Sequence, residues 1–437
     1  MATSIWTGAT RLHCTPGPGS ASVPSAIMNQ ALMRPKATAI EAGSRRLTYD
    51  ELDCQANRLA RHLQSLGVGA DVLVGLCLPR SLELVIAALG ILKAGGACMP
   101  MDPAYPAARL AFVLKDSRAR VLVTNSDLVR SLPESRCDVV LLDDPNIPGG
   151  PDHPPKISIL ARDLAYVIYA TDSDGQPSGV EITHAGLANL ISWHRFAFAV
   201  TPADRASNVA ELGSDTALWE LWPYLAAGAS VQLADDVARR SPERLRDWMV
   251  EKEITISLVP AAVAERLISL TWPHETALRT LLGGGETLRD YPHRDLPFQV
   301  VNSYGRTECT VVATSGGILP DACPETLPPI GRAIAGARVY LLDERLEPVV
   351  AGTPGEIYLG GVGVARGYRH RPELTAARFV ADPFSDQPGS HMFKTGDLAQ
   401  IRPDGQLILL GRADRQSEIQ PARASRCIPA PLVRGRI

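Results

Sequence analysis

The sequence predicts an α/β fold with two parallel-sheet α/β subdomains plus a small β-rich subdomain, and three observations lead to it. Residues 50–142 alternate between helical and strand patterns. Residues 164–314 form a second set of the same kind. After Pro329, short apolar runs are separated by turns such as Pro403-Asp404-Gly405. Alternating strands and helices favour parallel sheets covered by helices, and closely spaced turns indicate a β-rich unit.

The first subdomain is predicted from apolar periodicity. A helical pattern spans 50–66, where Leu52, Leu59 and Leu63 recur on one side. An apolar helix over Leu82–Ala94 ends at Gly95-Gly96, a stop signal. The strands predicted around these helices are Asp71–Leu78, Ala97–Met101, Arg120–Thr124 and Asp138–Leu142.

The other two subdomains are predicted in the same way. The second set begins at Leu164 and contains the helices Ala217–Leu225 and Pro242–Glu251 and the strands Ile254–Val259 and Gln299–Asn302. The β-rich unit contains the strands Arg338–Leu342, Gly355–Gly360 and Leu407–Leu410. Residues 1–25 are rich in Gly, Pro, Ser and Thr, which predicts a flexible leader or linker.

Composition excludes several classes of function. The 437 residues carry a net charge of −3 without a basic cluster, so nucleic acid is not an expected partner. No apolar run reaches the roughly 20 residues that span a bilayer, and no secretory signal is present, so no membrane partner is expected. The 8 cysteines are scattered without a Cys-x-x-Cys pair, which fits a reducing, cytoplasmic location.

A strand that runs into a loop of small residues, over Leu164–Gly179, is the first candidate site. Such loops can hold phosphates with backbone N–H groups, although read alone the segment could be an ordinary surface loop. Asp172, Asp174 and Glu181 also match part of a calcium loop. Ala170 would then be the first ligand and cannot coordinate a metal, which argues against calcium.

Two further segments combine polar groups at strand ends. Asn302 to Glu308 offers an amide, an aromatic ring, a hydroxyl and a carboxylate, which together could stack on a base, bond it and hold a cation. Phe393 to Leu398 and Gly411 to Asp414 follow, and Asp397 there could grip a ribose diol. Each segment alone could equally be a capped turn.

The order and spacing of these segments resemble the core motifs of nonribosomal peptide synthetase adenylation domains, part of the superfamily of adenylate-forming enzymes. The similarity covers about residues 30–416. The matching segments are Leu47–Leu52, Leu92–Asp102, Leu164–Gly179, Asp215 with Trp219-Glu220-Leu221, Asn302–Glu308, Gly355–Tyr368, Arg371–Phe379, Lys394–Leu398 and Gly411–Gln416.

The resemblance implies an activity, its substrates and its partners. Members convert an amino acid and ATP to an aminoacyl adenylate and pyrophosphate. They then pass the acyl group to the phosphopantetheine thiol of a carrier domain, for secondary-metabolite peptides. Amino acid, ATP with Mg²⁺, and a peptidyl carrier protein or other synthetase domains are therefore the implied ligands and partners.

The resemblance also implies roles for individual residues on the nucleotide side. Asn302 and Tyr304 would face the adenine, Thr307 would bond the phosphate, and Glu308 would coordinate Mg²⁺. Asp397 would hold the ribose hydroxyls. The remaining nucleotide contacts would be Thr171, Ser173, Gly175, Gly285 and Arg412, and Asp414 would be the hinge between subdomains.

Asp215 would pair with the substrate ammonium, because a buried carboxylate is costly without a cation. By motif position the side-chain pocket would be lined by Thr216, Trp219, Leu258, Leu282, Gly284, Ser303, Val311 and Val312. These residues offer apolar contact and no charge, which favours an aliphatic amino acid such as leucine or valine. The alternative is that they are simply core.

The sequence departs from the family pattern at the phosphate loop. Asp172 stands at a family glycine, Asp174 at a threonine and Ser178 at a lysine, so one positive charge is lost and two negative charges are gained. Ser214 replaces an aromatic residue and Arg306 a proline. Two unit charges 4 Å apart near a protein surface interact by about 4 kcal/mol. We therefore expect impaired activity.

The C-terminal end departs as well. The resemblance divides the chain into a large domain over 26–411, whose β-rich part is 330–411, and a hinge with a truncated C-terminal remnant over 412–437. The small C-terminal subdomain and its lysine are expected to be absent. Two hypotheses remain open: an impaired adenylating enzyme, and a catalytically inactive relic or binding module that keeps the fold.

Overall fold

Three β-sheets organise the part of the chain that the computed structural model describes, residues 22–144, 152–171, 176–320 and 326–413. The helices there are α1 (Val23–Met33), α2 (Tyr49–Ser65), α3 (Leu82–Ala94), α4 (Ala107–Ser117), α5 (Ser126–Val129), α6 (His184–Ala197), α7 (Thr216–Trp219), α8 (Trp222–Ala227), α9 (Pro242–Glu251), α10 (Ala261–Ile268) and α11 (Pro372–Arg378).

The strands follow the same order along the chain. They are β1 (Thr38–Ala42), β2 (Arg45–Thr48), β3 (Leu73–Cys77), β4 (Ala97–Met101), β5 (Val121–Thr124), β6 (Asp138–Leu141), β7 (Leu164–Thr171), β8 (Pro177–Thr183), β9 (Arg205–Asn208), β10 (Ser230–Leu233), β11 (Ile256–Pro260), β12 (Thr280–Gly284), β13 (Gln299–Tyr304), β14 (Thr314–Gly317), β15 (Arg332–Ala333), β16 (Ala337–Leu342), β17 (Gly355–Gly361), β18 (Phe379–Ala381), β19 (His391–Ile401) and β20 (Leu407–Arg412). Short 3-10 turns lie at Ala238–Arg240 and Thr307–Cys309.

The first sheet has six strands in the order β6-β5-β3-β4-β7-β8, with α3 packed on β3 and β4 and α2 packed on α3. α2 begins with a capping box between Thr48 and Glu51. α3 is mostly apolar and is buried except at Glu83 and Leu84, and it ends at Gly95, whose φ of +84° suits glycine. The predicted helix over Leu82–Ala94 is confirmed with the same bounds.

The predicted division between the two parallel-sheet subdomains is wrong at Leu164. β7 pairs in parallel with β4, so it belongs to the first sheet, and β8 returns antiparallel beside it. The N-terminal β1 instead pairs with β10 of the second sheet. These pairings join strands that are far apart in the sequence, so the order along the chain alone does not show which sheet receives each strand.

The second sheet has nine strands in the order β15-β14-β13-β12-β11-β9-β10-β1-β2, and its centre is parallel. The helix predicted over Ala217–Leu225 is two short helices, α7 and α8. Pro223 sits in the first turn of α8, where its missing N–H costs nothing. Glu220, between the helices, is fully buried and accepts the backbone N–H groups of Val209 and Ala210 at 3.0 and 2.9 Å.

The third sheet confirms the predicted β-rich unit. Its five strands, β16 to β20, are all antiparallel. One continuous apolar cluster contains residues of all three sheets, among them Val74, Val231 and Leu359. The sheets therefore share a core, and a cavity lies where they meet.

The predicted boundaries of the terminal segments fit only partly. α1 begins at Val23 after the cap Ser22, so ordered structure starts before the end of the leader predicted over 1–25. β20 runs through Arg412, the first residue of the predicted hinge segment, and residues 414–437 lie outside the described part. No described helix combines the length and the apolar character that crossing a membrane requires.

Candidate functional site

A cavity of about 440 Å³ lies at the carboxyl ends of the second sheet's parallel strands, the usual position of ligands in open α/β sheets. Hairpin β7–β8 closes one side and the third sheet another. Its walls are Ala170, Ser178, Val180, Asp215, Thr216, Trp219, Leu258, Gly284, Gly285, Ser303, Gly305, Arg306, Thr307, Glu308, Val311, Val312, Tyr368, Arg378, Phe393, Thr395 and Arg412.

Most residues predicted to bind the amino acid lie together in this wall. Asp215 precedes α7 and faces the cavity, and Trp219 closes it with an indole that is only 3% exposed. The other predicted wall residues present there are Thr216, Leu258, Gly284, Ser303, Val311 and Val312.

Leu282 is the exception among these predicted residues. It points to the same side of β12 as Gly284 but lies two residues deeper, about 7 Å along the strand. Its side chain is fully buried in the shared core and does not reach the cavity. The prediction that Leu282 contacts the substrate is corrected accordingly.

Desolvation raises the pKa of Asp215, and a hydrogen bond from the Thr307 hydroxyl partly opposes this effect. The Thr216 hydroxyl lies 3.5 Å from Oδ1 of Asp215. No ion pair joins Asp215 to a described cation. A charged carboxylate in these surroundings calls for a cationic ligand, such as an ammonium group.

The indole of Trp219 is held in the cavity wall by a buried residue on the side away from the cavity. Its indole Nε1–H donates to Nδ1 of His194 at 2.8 Å. His194 lies on α6, is fully buried, and also packs against Phe198 and Tyr224. Burial lowers the pKa of His194 to about 3, so the ring stays neutral and Nδ1 stays an acceptor.

Glu308 and Thr307 place a carboxylate and a hydroxyl beside Asp215. Both belong to a 3-10 turn after β13. The carboxylate of Glu308 accepts the Tyr368 hydroxyl at 2.6 Å, and desolvation raises its pKa. Thr310 and Val311, just beyond, have φ of +56° and +73°, unusual for β-branched residues. Such strain is concentrated at functional sites.

Glu308 fits the Mg²⁺ role that the resemblance implies. Among the described residues no cluster of three acidic, His or Cys side chains could hold a metal alone. Mg²⁺ usually takes one or two carboxylates and completes its shell with substrate phosphates and water. One carboxylate in the cavity wall meets that requirement.

Three residues predicted to contact the nucleotide lie behind the cavity wall. Asn302 is buried, and its amide donates to the carbonyl of Pro329 at 3.0 Å. The Tyr304 hydroxyl donates to Oδ2 of Asp397 at 2.6 Å. Neither ring nor amide reaches the cavity in this conformation, and Asp397 is only 3% exposed. Gly285 and Arg412, in contrast, lie in the wall.

Arg306 separates Asp397 from the cavity. Its Nε and Nη2 lie 3.0 and 2.6 Å from Oδ2, and Nη2 lies 2.6 Å from Oδ1. Nη1 of Arg412 lies 3.7 Å from the same Oδ1. Burial opposes the charge of Arg306, but the neighbouring Asp397 outweighs this effect and raises the pKa of Arg306, so the guanidinium stays charged.

The phosphate loop lies outside the described residues except at its edges. Ala170 and Ser178 pair across β7 and β8, and both line the cavity, so the loop between them starts at its rim. Thr171 ends β7. Ser173, Gly175 and the predicted hinge Asp414 are not described, and neither are two acids of the calcium alternative, Asp172 and Asp174. Its third acid, Glu181, lies in β8 and pairs with Arg369 at 3.0 Å.

Several wall residues were not predicted. Tyr368 and Arg378 belong to segments that matched the family, Gly355–Tyr368 and Arg371–Phe379, yet no role was assigned to them. Phe393 and Thr395 lie shortly before Asp397, which was predicted to hold the ribose. Because the matched segments lie near a common cavity, other residues at the ends of these segments could have been predicted to line it.

Comparison with known proteins agrees with this geometry. The family described as AMP-binding enzyme matches residues 27–369. One of the linear gramicidin synthase proteins of Brevibacillus parabrevis is 46% identical over 391 residues, which cover 89% of this chain and 5% of that protein. Surfactin synthase subunit 2 of Bacillus subtilis (strain 168) is 41% identical over 387 residues, 86% of this chain and 10% of that protein.

A solved structure of the nonribosomal peptide synthetase FmoA3 (S1046A), in its alpha-methyl-L-serine-AMP bound form, has a similar fold. Its TM-score is 0.83 at 32% identity, covering 91% of this chain and 45% of that one. The chain therefore belongs to the AMP-binding enzyme family, within the adenylation domains of nonribosomal peptide synthetases. It spans only 5–10% of the length of the two synthetases named above.

Proposed function

We propose that this domain activates an aliphatic amino acid as its aminoacyl adenylate, with slow turnover. One observation carries the proposal: Thr307 bonds Asp215 and is followed by Glu308, all three in one cavity wall. An ammonium on Asp215 and a nucleotide at Glu308 would thus be neighbours. Holding two reactants in contact is itself a large part of catalysis.

The proposed reaction joins the two substrates at phosphorus. A carboxylate oxygen of the amino acid attacks the α-phosphorus of ATP, the bond to the bridging oxygen breaks, and pyrophosphate leaves. Asp215 orients the amino acid through its ammonium group, and Thr307 bonds the phosphate. Mg²⁺ held by Glu308 would neutralise charge on the phosphates. Arg412 and Arg378 also lie in the wall, and their positive charges would favour the same phosphates.

The aliphatic preference rests on the inner wall. Trp219, Leu258, Val311 and Val312 present apolar surface, and no charge there would pair with an ionic side chain. Burying an unpaired charge costs several kcal/mol, so acidic and basic substrates are disfavoured. One methylene changes binding by only about 1–3 kcal/mol, so leucine, valine and isoleucine should compete.

The partners follow from the family. We propose that the acyl group passes to the phosphopantetheine thiol of a peptidyl carrier protein, for secondary-metabolite peptide synthesis. The FmoA3 (S1046A) structures with AMPPNP and with an aminoacyl-AMP support ATP as the second substrate. No nucleic acid or membrane is proposed as a partner.

The second candidate, a binding module that keeps the amino-acid pocket without turnover, is favoured by Arg306. Its guanidinium covers the carboxylate predicted to hold the ribose. Amino-acid-dependent exchange of labelled pyrophosphate into ATP decides between the candidates. Slow exchange that requires leucine or valine supports adenylation, whereas leucine binding without any exchange supports the module. Neither binding nor exchange with any amino acid would contradict both.

A further inference from the structure

The carboxylate of Asp397 has no room for a ribose diol while Arg306 stays in place. A carboxylate has about four acceptor positions. Oδ2 already accepts from Tyr304 and from two nitrogens of Arg306, and Oδ1 accepts from Nη2 of Arg306, with Arg412 close by. A diol brings two donors. At least one present donor must leave before both hydroxyls can bind.

Arg306 is the donor placed to leave. The Tyr304 side chain is buried, and its hydroxyl can only turn in place. The side chain of Arg306 is 36% exposed and lines the cavity, while that of Asp397 is 4% exposed behind it. Rotation of the arginine side chain would bring its guanidinium into the cavity and uncover Asp397.

The cavity supplies a reason for the guanidinium to go there. The position of the family's loop lysine is taken by Ser178, which lines the cavity, and the adjoining loop carries Asp172 and Asp174. Asp215 and Glu308 add negative charge to the wall. Arg378 and Arg412 also lie in the wall, and the guanidinium of Arg306 would add a third positive charge that binds phosphate in a planar, two-pronged geometry.

We propose that Arg306 exchanges partners when nucleotide binds: the ribose hydroxyls take Asp397, and the guanidinium moves from Asp397 to the nucleotide phosphate. Arg306 is thereby a phosphate-binding residue of this domain that stands in for the missing loop lysine. The inference rests on the proposed function and identifies the residue that selects nucleotides over nucleosides.

The exchange makes nucleoside and nucleotide behave differently. Adenosine must displace the guanidinium and offers it no new partner, so it should bind poorly. AMP displaces the guanidinium and accepts it on phosphate. Removing the charge of Arg306 should therefore tighten adenosine binding and weaken AMP binding. A residue that only blocks the ribose site, or one that is purely structural, would not have these opposite effects.

The test is calorimetric titration of the whole chain with adenosine, AMP and ATP, comparing the unsubstituted protein with Arg306→Gln. Glutamine keeps one amide donor for Asp397, which protects the fold. Arg306→Lys serves as a second variant that keeps the charge without the two-pronged geometry. We expect the ratio of AMP to adenosine affinity to fall about tenfold or more in Arg306→Gln, the worth of a charge-assisted bond, and less in Arg306→Lys.

Arg366→Gln is the matched control. Arg366 makes a similar two-pronged pair with Asp71 at 2.8 and 3.1 Å, has 38% exposure, and lies outside the cavity wall. It should leave the affinity ratio unchanged. Thermal unfolding of each variant verifies that it is folded.

The outcomes separate the inference from the proposed function. If adenosine and AMP both bind more tightly to Arg306→Gln, Arg306 only blocks the ribose site and the inference is overturned. An unchanged affinity ratio overturns it too, while leaving the proposed function intact. If neither the unsubstituted chain nor the variant binds any nucleotide, the proposed function fails and the inference fails with it.

Discussion

At the scale of single residues, Asp215 is the residue that we propose selects the class of ligand in the inner cavity. Desolvation raises its pKa and it has no described ion-pair partner, so a bound ammonium would stabilise its ionised form. We predict that Asp215→Ala abolishes amino-acid binding in calorimetry. Asp215→Asn, which keeps the shape and removes the charge, should lose nearly as much. Leucine binding that persists unchanged in both variants would contradict the assignment.

Trp219 is the residue that we propose limits the size of the substrate side chain. We predict that Trp219→Ala removes the preference for aliphatic amino acids in a thermal-shift panel, because the indole closes the cavity. Loss of a buried aromatic ring also costs about 3–5 kcal/mol of folding free energy. Trp272→Ala is a matched control, since Trp272 is 7% exposed, donates to the Leu267 carbonyl and lies in a separate cluster. It should lose stability and keep selectivity.

At this scale the sequence predicts which side of a strand a residue points to, but not how deep in the protein it lies. Gly284 and Leu282 share one side of β12, and only their depth distinguishes them, which the sequence does not encode locally. Arg306 was recognised as a departure from the family. Its pairing with Asp397, 91 positions away, depends on packing between the second and third sheets.

At the scale of elements, helix α6 carries a pH-dependent contribution to stability. Burial lowers the pKa of His184 to about 4 and of His194 to about 3. Below about pH 6.5 the unfolded chain binds protons at these rings while the folded chain keeps them neutral. Falling pH therefore favours unfolding, and this contribution to stability is fully present only above that pH.

We predict that between pH 6 and 4 the free energy of unfolding falls more steeply for the unsubstituted chain than for His194→Phe. The difference should approach about one proton, or about 1.4 kcal/mol per pH unit. Phenylalanine keeps the aromatic packing but removes the acceptor of Trp219, so the variant should be less stable at pH 7. Parallel pH profiles in denaturant titrations would show that His194 is charged in the folded state.

The predicted phosphate loop between β7 and β8 is the segment in which the sequence departs most from the family pattern. We predict that the triple change Asp172→Gly, Asp174→Thr and Ser178→Lys tightens ATP binding, because it removes two anions and adds a cation at the cavity rim. In the control protein Ser178→Met takes the place of Ser178→Lys, because methionine matches lysine in length without its charge. If nucleotide titrations show equal ATP affinity for all three proteins, the loop does not meet the phosphates.

The elements themselves were predictable where local signals agree. α3 has a serine cap, an apolar body and a terminal glycine, and its bounds match the prediction. α7 and α8 were predicted as one helix because the apolar pattern continues across them. The break depends on Glu220, whose carboxylate is drawn to backbone groups after β9, a tertiary contact. The sheet to which β7 belongs was predicted wrongly for the same reason, because its pairing with β4 is a tertiary contact.

At the scale of the whole molecule, the cavity is unevenly prepared for the two substrates that we propose. The amino-acid side is open, with Asp215 in the wall and Trp219 fixed by His194. On the nucleotide side Asp397 is covered by Arg306, and the loop has lost its cation. All three sheets share one core, so a ligand that joins them should stabilise the entire fold in proportion to its affinity.

We predict that leucine raises the melting temperature of the chain more than ATP does at the same millimolar concentration, and that pyrophosphate exchange is slow. A ligand at 100 times its dissociation constant adds about 2.7 kcal/mol to the folded state, whereas one at its dissociation constant adds about 0.4 kcal/mol. ATP has to displace Arg306 and approach an acidic loop. With Mg²⁺ present, we therefore expect its stabilisation of the folded state to be nearer the smaller of these two values. Aspartate and lysine serve as amino-acid controls and should give no shift. A larger shift with ATP than with leucine, together with rapid exchange, would mean that neither Arg306 nor the loop impedes the nucleotide.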